Sequence, residues 1–570
     1  RKTLKIGTGE DGLSEVSGSL SGALTDDLIF RLAGNQKTFD GNIENEFLSS
    51  VLARSGGGVT GPKPSKSYMD FEENNDLRFQ LFWEPSDMTS VDYRYSKNDT
   101  ETGAMWYRNI YRLESNPDET YELPVNSNGN PTAFRTINAH TVKIDHEFSF
   151  GNLTSITNVS DTNERYGVAG ETRDHDRTAN VWFHTQPFVQ AMVDSFTNPI
   201  DVEFFSADLG AVLSGDFVGS DQYYDVQTAS QEFRFSGEID DSINYIAGAY
   251  FLATDRKDTI RATWEKPDGA GFDCAPAYEG GPSVTDFACS GLLFSTQNVQ
   301  DNTAWAVFFN MDYDITEDLK LTLAGRYDVD KREVTRIDGP TVDTFGMGVG
   351  NVGADCDSAA DPDNCIASGS KVSETFSAFQ PKASLAYTPG ENMTYYATYA
   401  RGFRSGGFNA SGALLTDTYD SETLDSFEVG FKSHWLNQHM QINGSLYSTK
   451  QENGHYTLFL VDVGAQILVN IDEIRILGGE LEINNNWAKG LDSYISLGVT
   501  DSQIEKYKLN PQLTGNYAPY VPKYTFNAGL QYKTSIATQL DLFSRVDFQR
   551  LGQQYWDPEN SSARTETTRC

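Results

Sequence analysis

Few stretches of this chain hold residue types at spacings that could do chemistry. Asp174, His175 and Asp176, with His184 a short way on, supply the oxygen and nitrogen donors that a metal ion takes. In so acidic a loop the same residues also read as solvated side chains. Gly346-Met347-Gly348-Val349-Gly350 has the glycine content of a phosphate-cradling loop, but that chemistry needs a strand before it and a helix after it. Neither flanks it, so the segment reads as an open loop. Cys274 and Cys289 share one Gly/Pro/Asp-rich stretch, and Cys356 and Cys365 share another. No CxxC spacing or histidine cluster accompanies them, so zinc is not expected. Two local pairs in loops fit disulfides made in an oxidising compartment; two pairs of free thiols are the other reading. Cys570 has no evident partner. No Ser-His-Asp, Cys-His or paired-carboxylate grouping stands out from the background of 81 acidic residues. The expectation is a protein without catalytic residues, metal or cofactor.

Composition narrows the class. Against the 81 acids stand 44 basic residues, a formal net charge of −37, which excludes nucleic acid as an expected partner because phosphate binding needs a basic face. Mean hydropathy is −0.48. Yet aromatics make up 12% of the chain, with 28 Tyr and 34 Phe, whereas disordered acidic chains are poor in aromatics. The longest apolar run, Tyr245–Ala253, falls far short of the ~18 residues of a membrane-spanning helix. The chain opens Arg1-Lys2-Thr3 with no signal-peptide pattern, which reads as a processing site or an arbitrary cut.

The elements that position these residues are strands. Leu77, Phe79, Leu81 and Trp83 alternate with Arg78, Gln80, Phe82 and Glu84, and the same period of two recurs throughout. About nineteen such strands begin near Lys2, Ser14, Leu28, Asp76, Thr89, Thr141, Leu153, Thr228, Ile243, Thr303, Leu319, Thr375, Met393, Asp425, Met440, Gln466, Leu491, Tyr524 and Gln539. Short turns at Thr316–Asp318, Phe150–Asn152 and Pro389–Asn392 alternate with long acidic loops over Asp161–Asp225, Ala262–Asn302 and Lys331–Glu374. One rim is therefore tight and the other carries large excursions, the asymmetry of an outer-membrane β-barrel. The face opposite the apolar one is charged, as in Lys143, Asp145 and Glu147; Glu428 and Lys432; and Asp541, Arg545 and Asp547. That implies a wet or plugged lumen. A soluble sheet with one solvated face is the alternative.

One segment is specific. Tyr395-Tyr396-Ala397-Thr398-Tyr399-Ala400-Arg401-Gly402-Phe403-Arg404-Ser405-Gly406-Gly407-Phe408-Asn409 precedes Ser421-Glu422-Thr423-Leu424-Asp425-Ser426-Phe427-Glu428-Val429-Gly430-Phe431-Lys432. Together they closely resemble the mid-barrel signature of TonB-dependent receptors. Leu28–Gly34, Gln380-Pro381-Lys382, Gly478–Glu482 and Pro522–Thr525 resemble flanking pieces in the family's order. Gly402, Gly406 and Gly407 are expected to bend the strand end and admit positive dihedrals. Alternation leaves the facing of Tyr395–Asn409 open. Arg401 and Arg404 are the candidate contacts for an anionic ligand or plug, with pairing to neighbouring acids as the plainer reading.

The resemblance implies an all-β transmembrane antiparallel barrel over 1–570, with about 19 of an expected 22 strands and no plug domain. It reads as truncated at both ends. It further implies a monomer in the bacterial outer membrane, surrounded by lipid. Such a receptor takes up a ferric siderophore, vitamin or carbohydrate from the extracellular side, powered by the TonB–ExbB–ExbD system through the missing N-terminal region. A passive porin and a non-enzymatic adhesin or β-sandwich protein are the rival functions. If the two cysteine pairs are bridged, iodoacetamide added without reductant labels only Cys570; labelling of Cys274, Cys289, Cys356 or Cys365 would show free thiols.

Overall fold

The computed structural model describes residues 1–44, 68–103, 106–108, 132–172, 219–263, 292–338, 369–409, 418–460, 465–537, 540–561, 563–564 and 567–569. All five cysteines, Asp174–Asp176, His184 and Gly346–Gly350 lie outside these residues. Among the described residues nineteen long strands follow one another: β1 (Lys2–Thr8), β2 (Ser14–Ala23), β3 (Leu28–Phe39), β4 (Glu72–Ser86), β5 (Thr89–Gly103), β6 (Thr132–Phe148), β7 (Gly151–Thr172), β8 (Gly219–Ile239), β9 (Ile243–Thr263) and β10 (Leu292–Thr316). Then come β11 (Leu319–Asp338), β12 (Lys371–Tyr387), β13 (Met393–Arg404), β14 (Glu422–Trp435), β15 (Met440–Leu460), β16 (Ala465–Ala488), β17 (Leu491–Lys506), β18 (Tyr524–Ala537) and β19 (Leu540–Leu551). Each pairs antiparallel with its neighbours in sequence, giving one continuous all-β sheet to which the short strands Trp106–Arg108 and Thr567–Arg569 are added. The described residues include two 3-10 turns, Asp240–Ser242 and Pro511–Leu513.

A tilted strand crosses a bilayer in about 9–11 residues. Strands such as β9, β10 and β15, with 21, 25 and 21 residues, therefore continue well past the membrane. At one rim the connections are tight, as in Asp87–Met88, Ser149–Phe150, Glu317–Asp318 and Lys489–Gly490. At the other rim they are mostly long, with Gly9–Leu13 and 461–464 as short exceptions. The three long excursions are shorter than the sequence pattern marks them: β7 runs on to Thr172, β10 begins at Leu292 and β11 ends at Asp338. Above the lipid no apolar solvent sorts the two faces, so alternation fades while backbone pairing persists.

Cross-strand partners share a face, and the register sorts the two. Phe427, Val429, Leu446, Leu497 and Val499 are exposed on the outward, apolar face. Beside the tight turns sit Trp83, Phe148, Phe150, Tyr387, Trp435 and Trp487, an interfacial girdle. Its indole N–H groups have partners: Trp83 donates to Asp27 at 3.2 Å, Trp435 to Ser433 at 2.9 Å and Trp487 to Ser493 at 2.8 Å.

The ladder between β12 and β13 runs only from Lys382↔Ala400 to Tyr387↔Tyr395. It stops beside Pro381, which has no N–H to donate. Beyond that point β12 remains paired with β11 and β13 with β14, which leaves a seam at the outer half of the wall. Leu497→Arg, on the lipid face, is expected to cost about 2–4 kcal/mol. Ser496→Arg, one residue earlier on the inner face opposite Glu482, should stay within about 1 kcal/mol. Urea titrations of folding into vesicles compare the two.

Candidate functional site at the outer mouth

The signature strand β13 settles its facing through its partners. Tyr395 and Tyr399 are exposed on the lipid face together with Phe427, so Arg401 points outward with them. There Asp425 accepts from the Tyr399 hydroxyl at 2.6 Å and pairs with Arg401 at 3.8 Å. Arg404 lies on the inner face and donates to Glu422 at 2.8 Å. Each arginine thus meets a neighbouring acid, and the two stand on opposite faces of the sheet.

The chain leaving β13 turns into the seam above Pro381. Phe408 is buried against Val334 of β11 and Val372 of β12. The backbone at Gly407–Phe408 pairs with Thr418–Tyr419. None of Gly402, Gly406 and Gly407 has a positive φ, contrary to the expectation from sequence. Space is the reason for two of them. A Cβ on Gly406 would run into the Tyr419 carbonyl and the Phe376 ring, and one on Gly407 would lie 2.6 Å from the Tyr419 hydroxyl. A Cβ at Gly402 would meet nothing within 4 Å, and the structure gives no reason for glycine there.

From the seam the segment reaches the hairpin of β15 and β16. The Asn409 amide donates to the Leu468 carbonyl at 3.0 Å, and its oxygen accepts from the Leu468 N–H at 2.8 Å, so one side chain imitates a strand partner. Arg336, almost fully buried, donates to the Asn409 carbonyl at 3.3 Å. On the returning leg, Asn470 accepts from the Asp420 N–H at 2.7 Å, and His455 Nε2 lies 2.7 Å from the Asp420 carbonyl. A carbonyl only accepts, so Nε2 carries the proton. The His455 N–H donates to the buried Glu422 carboxylate at 2.7 Å. Burial holds the His455 imidazole below its usual pKa; the Asp420 carbonyl and Glu422 oppose this, while Arg404 and Arg332 add to it. The result is a strap fixed at both ends, joining β11–β12 to β15–β16. Asn409 closes the signature motif in the sequence, whereas Asp420, His455 and Asn470 carry no local signal and meet only through tertiary folding.

The inner wall below carries charge in fixed form. Arg326 grips Asp328 through bonds of 2.7, 2.8 and 3.0 Å, and Gln380 donates to the same carboxylate at 2.6 Å. Rings of Tyr250 and Phe308 flank its guanidinium at 5.8 and 5.7 Å. Asp92 receives Arg94 and Gln80, and Lys143–Asp145 and Arg545–Asp547 repeat the pattern at 2.8 and 2.7 Å. Among the described residues, no group of His, Cys, Asp and Glu is arranged to hold a metal.

A family model described as TonB dependent receptor-like, beta-barrel matches residues 70–568. The chain belongs to this family. Its structure is similar to that of the ferric yersiniabactin uptake receptor FyuA from Yersinia pestis, with a TM-score of 0.68 at 13% identity, covering 100% of this chain and 71% of that one. The siderophore receptor PiuA from Acinetobacter baumannii gives a TM-score of 0.62 at 12% identity, covering 100% of this chain and 74% of that one. At these identities the likeness speaks for the fold. In sequence, the probable TonB-dependent siderophore receptor PiuA of A. baumannii is 27% identical over 174 residues, 27% of this chain and 22% of that protein.

This TonB-dependent receptor barrel is thus an outer-membrane protein, and the rim with the long connections is the extracellular one by the general asymmetry of such barrels. Asn409→Ala would leave the Leu468 N–H and carbonyl without these partners, at a cost of about 1–3 kcal/mol. Hydrogen exchange at the Leu468 amide should quicken in that variant. Unchanged exchange would mean that the strap is not anchored there.

Proposed function

We propose that this barrel is the wall of a receptor that takes up a scarce nutrient across the outer membrane, with a ferric siderophore as the leading candidate. One observation carries the reading: behind an outward apolar face lies an inner wall of fixed ion pairs, among them Arg326–Asp328 at 2.7 Å. Charges locked in pairs offer a polar path to a large solute. They also hold their positions while a solute passes, because each partner restrains the other. Arg404, bound to Glu422 on the inner face, is the candidate contact for a ligand or a plug; Arg401 lies on the lipid face.

Energy would come from the TonB–ExbB–ExbD system, acting on a region outside this chain. The names of the solved neighbours, ferric yersiniabactin uptake receptor and siderophore receptor, support an iron-chelate ligand. No step of such transport makes or breaks a covalent bond, so the reading needs no catalytic residue.

The test is uptake of ferric siderophores by iron-starved cells producing the full-length receptor. Uptake should vanish on deletion of its gene and equally on loss of TonB. Uptake that persists without TonB would make the protein a passive channel, and growth unaffected by the deletion across siderophores, vitamins and carbohydrates would overturn the reading.

A further inference from the structure

The strap is not the only ordered feature of the mouth. The connection from β17 to β18 and the segment after β19 pack into a second one. Beneath them, Ile471, Ile474, Ile504, Tyr507, Leu513 and Ala518 form a small apolar core. Side-chain amides lace the two segments together. Asn560 accepts from the Tyr517 N–H at 2.8 Å and donates to its carbonyl at 2.9 Å, while Asn516 donates to the Pro558 carbonyl at 2.8 Å. The Tyr517 and Tyr555 rings stack at 5.7 Å.

On this rigid base two aromatic residues are left uncovered. Tyr520 is 59% exposed and Trp556 42% exposed, and their rings meet edge to face at 5.8 Å with 67° between planes. Tyr520 has φ +66°, a conformation that a bulky residue adopts only under constraint, and its N–H is tied to the Tyr555 carbonyl at 2.8 Å. The backbone bears strain to present an apolar ring to solvent, which packing alone does not explain.

The electrostatic surroundings are negative. The carboxylates of Asp557 and Glu559 lie within electrostatic reach of the half-buried Tyr456 hydroxyl. The nearby lysines are engaged: Lys508 pairs with Asp472 at 2.7 Å, and Lys523 lies 4.2 Å over the Tyr517 ring and donates to Gln553 at 3.1 Å. The chain as a whole carries −37, so its field draws cations to the mouth and repels anions. Two exposed aromatic rings in such a field match an alkylammonium group, which an aromatic face attracts through its quadrupole.

We propose that Tyr520 and Trp556 form an aromatic corner that binds an alkylammonium group at the extracellular surface, with Asp557 and Glu559 supplying the negative field. The site stands on the fold and its charge, not on the identity of the transported nutrient, so its failure leaves the uptake reading untouched.

The test uses the full chain in lipid nanodiscs and reads Trp556 emission as the difference between the parent and Trp556→Phe. Choline and 3,3-dimethylbutan-1-ol are the probes, equal in shape but differing in charge. Choline should change the emission saturably, and the neutral alcohol should bind at least about tenfold more weakly. Tyr520→Gly suits the positive φ, so it should keep the melting temperature while weakening choline binding at least about fivefold. Equal affinity for the two probes, no saturable response to choline, or full affinity in Tyr520→Gly overturns the proposal. So does quenching of Trp556 by brominated lipids, which would place the pair in the bilayer as an interfacial anchor.

Discussion

Inside a bilayer a peptide N–H has no water to turn to, so each strand must find its hydrogen bonds in its neighbours. That requirement organises this molecule. It produces the uninterrupted antiparallel meander from β1 to β19, with every strand beside the one before it in sequence. It also frees the side chains to divide by face: apolar toward lipid, charged toward the lumen. Even the girdle tryptophans obey it, since Trp83, Trp435 and Trp487 each give the indole proton to a nearby oxygen.

Pro381 is where the rule bends. The β12–β13 ladder ends next to it, and the seam is filled by Gly406–Phe408 rather than by another strand. Asn409 then supplies, from its side chain, the donor and acceptor that a neighbouring strand residue would give to Leu468. The substitution is possible because an amide carries the same pair of groups as a peptide bond. The signature motif is thereby tied to the architecture of the mouth: its glycines make room, its phenylalanine fills the seam and its asparagine completes a ladder.

The ion pairs of the inner wall act chiefly through position. Half-exposed pairs such as Lys143–Asp145 contribute only about 0–1 kcal/mol each. Glu422 differs, being buried and shared between Arg404 and the His455 N–H. Removing one partner of a desolvated carboxylate is costly, so strap, strand and hairpin are coupled at that residue.

Much of the fold is legible in the sequence, and the errors have a pattern. Most strands leaving the tight turns begin where alternation places them, at Leu28, Thr89, Ile243, Leu319, Met393, Met440 and Leu491; the strands marked from Leu153 and Gln539 begin at Gly151 and Leu540. Strands returning from the long outer loops mostly begin earlier than alternation indicates, at Glu72 rather than Asp76, Thr132 rather than Thr141, and Leu292 rather than Thr303, whereas Ser14 and Tyr524 begin where it places them. Lipid imposes the period of two, and it does so only within the membrane. The sequence by itself therefore determined the strand class, the number of long strands, the tight rim and the family motif. The tertiary structure alone decided that Arg404 faces inward and Arg401 outward, because a period of two names two sets without saying which one meets lipid. It alone joined Asn409 to Leu468 and His455 to Asp420, since these contacts span dozens of residues and leave no local pattern in the chain.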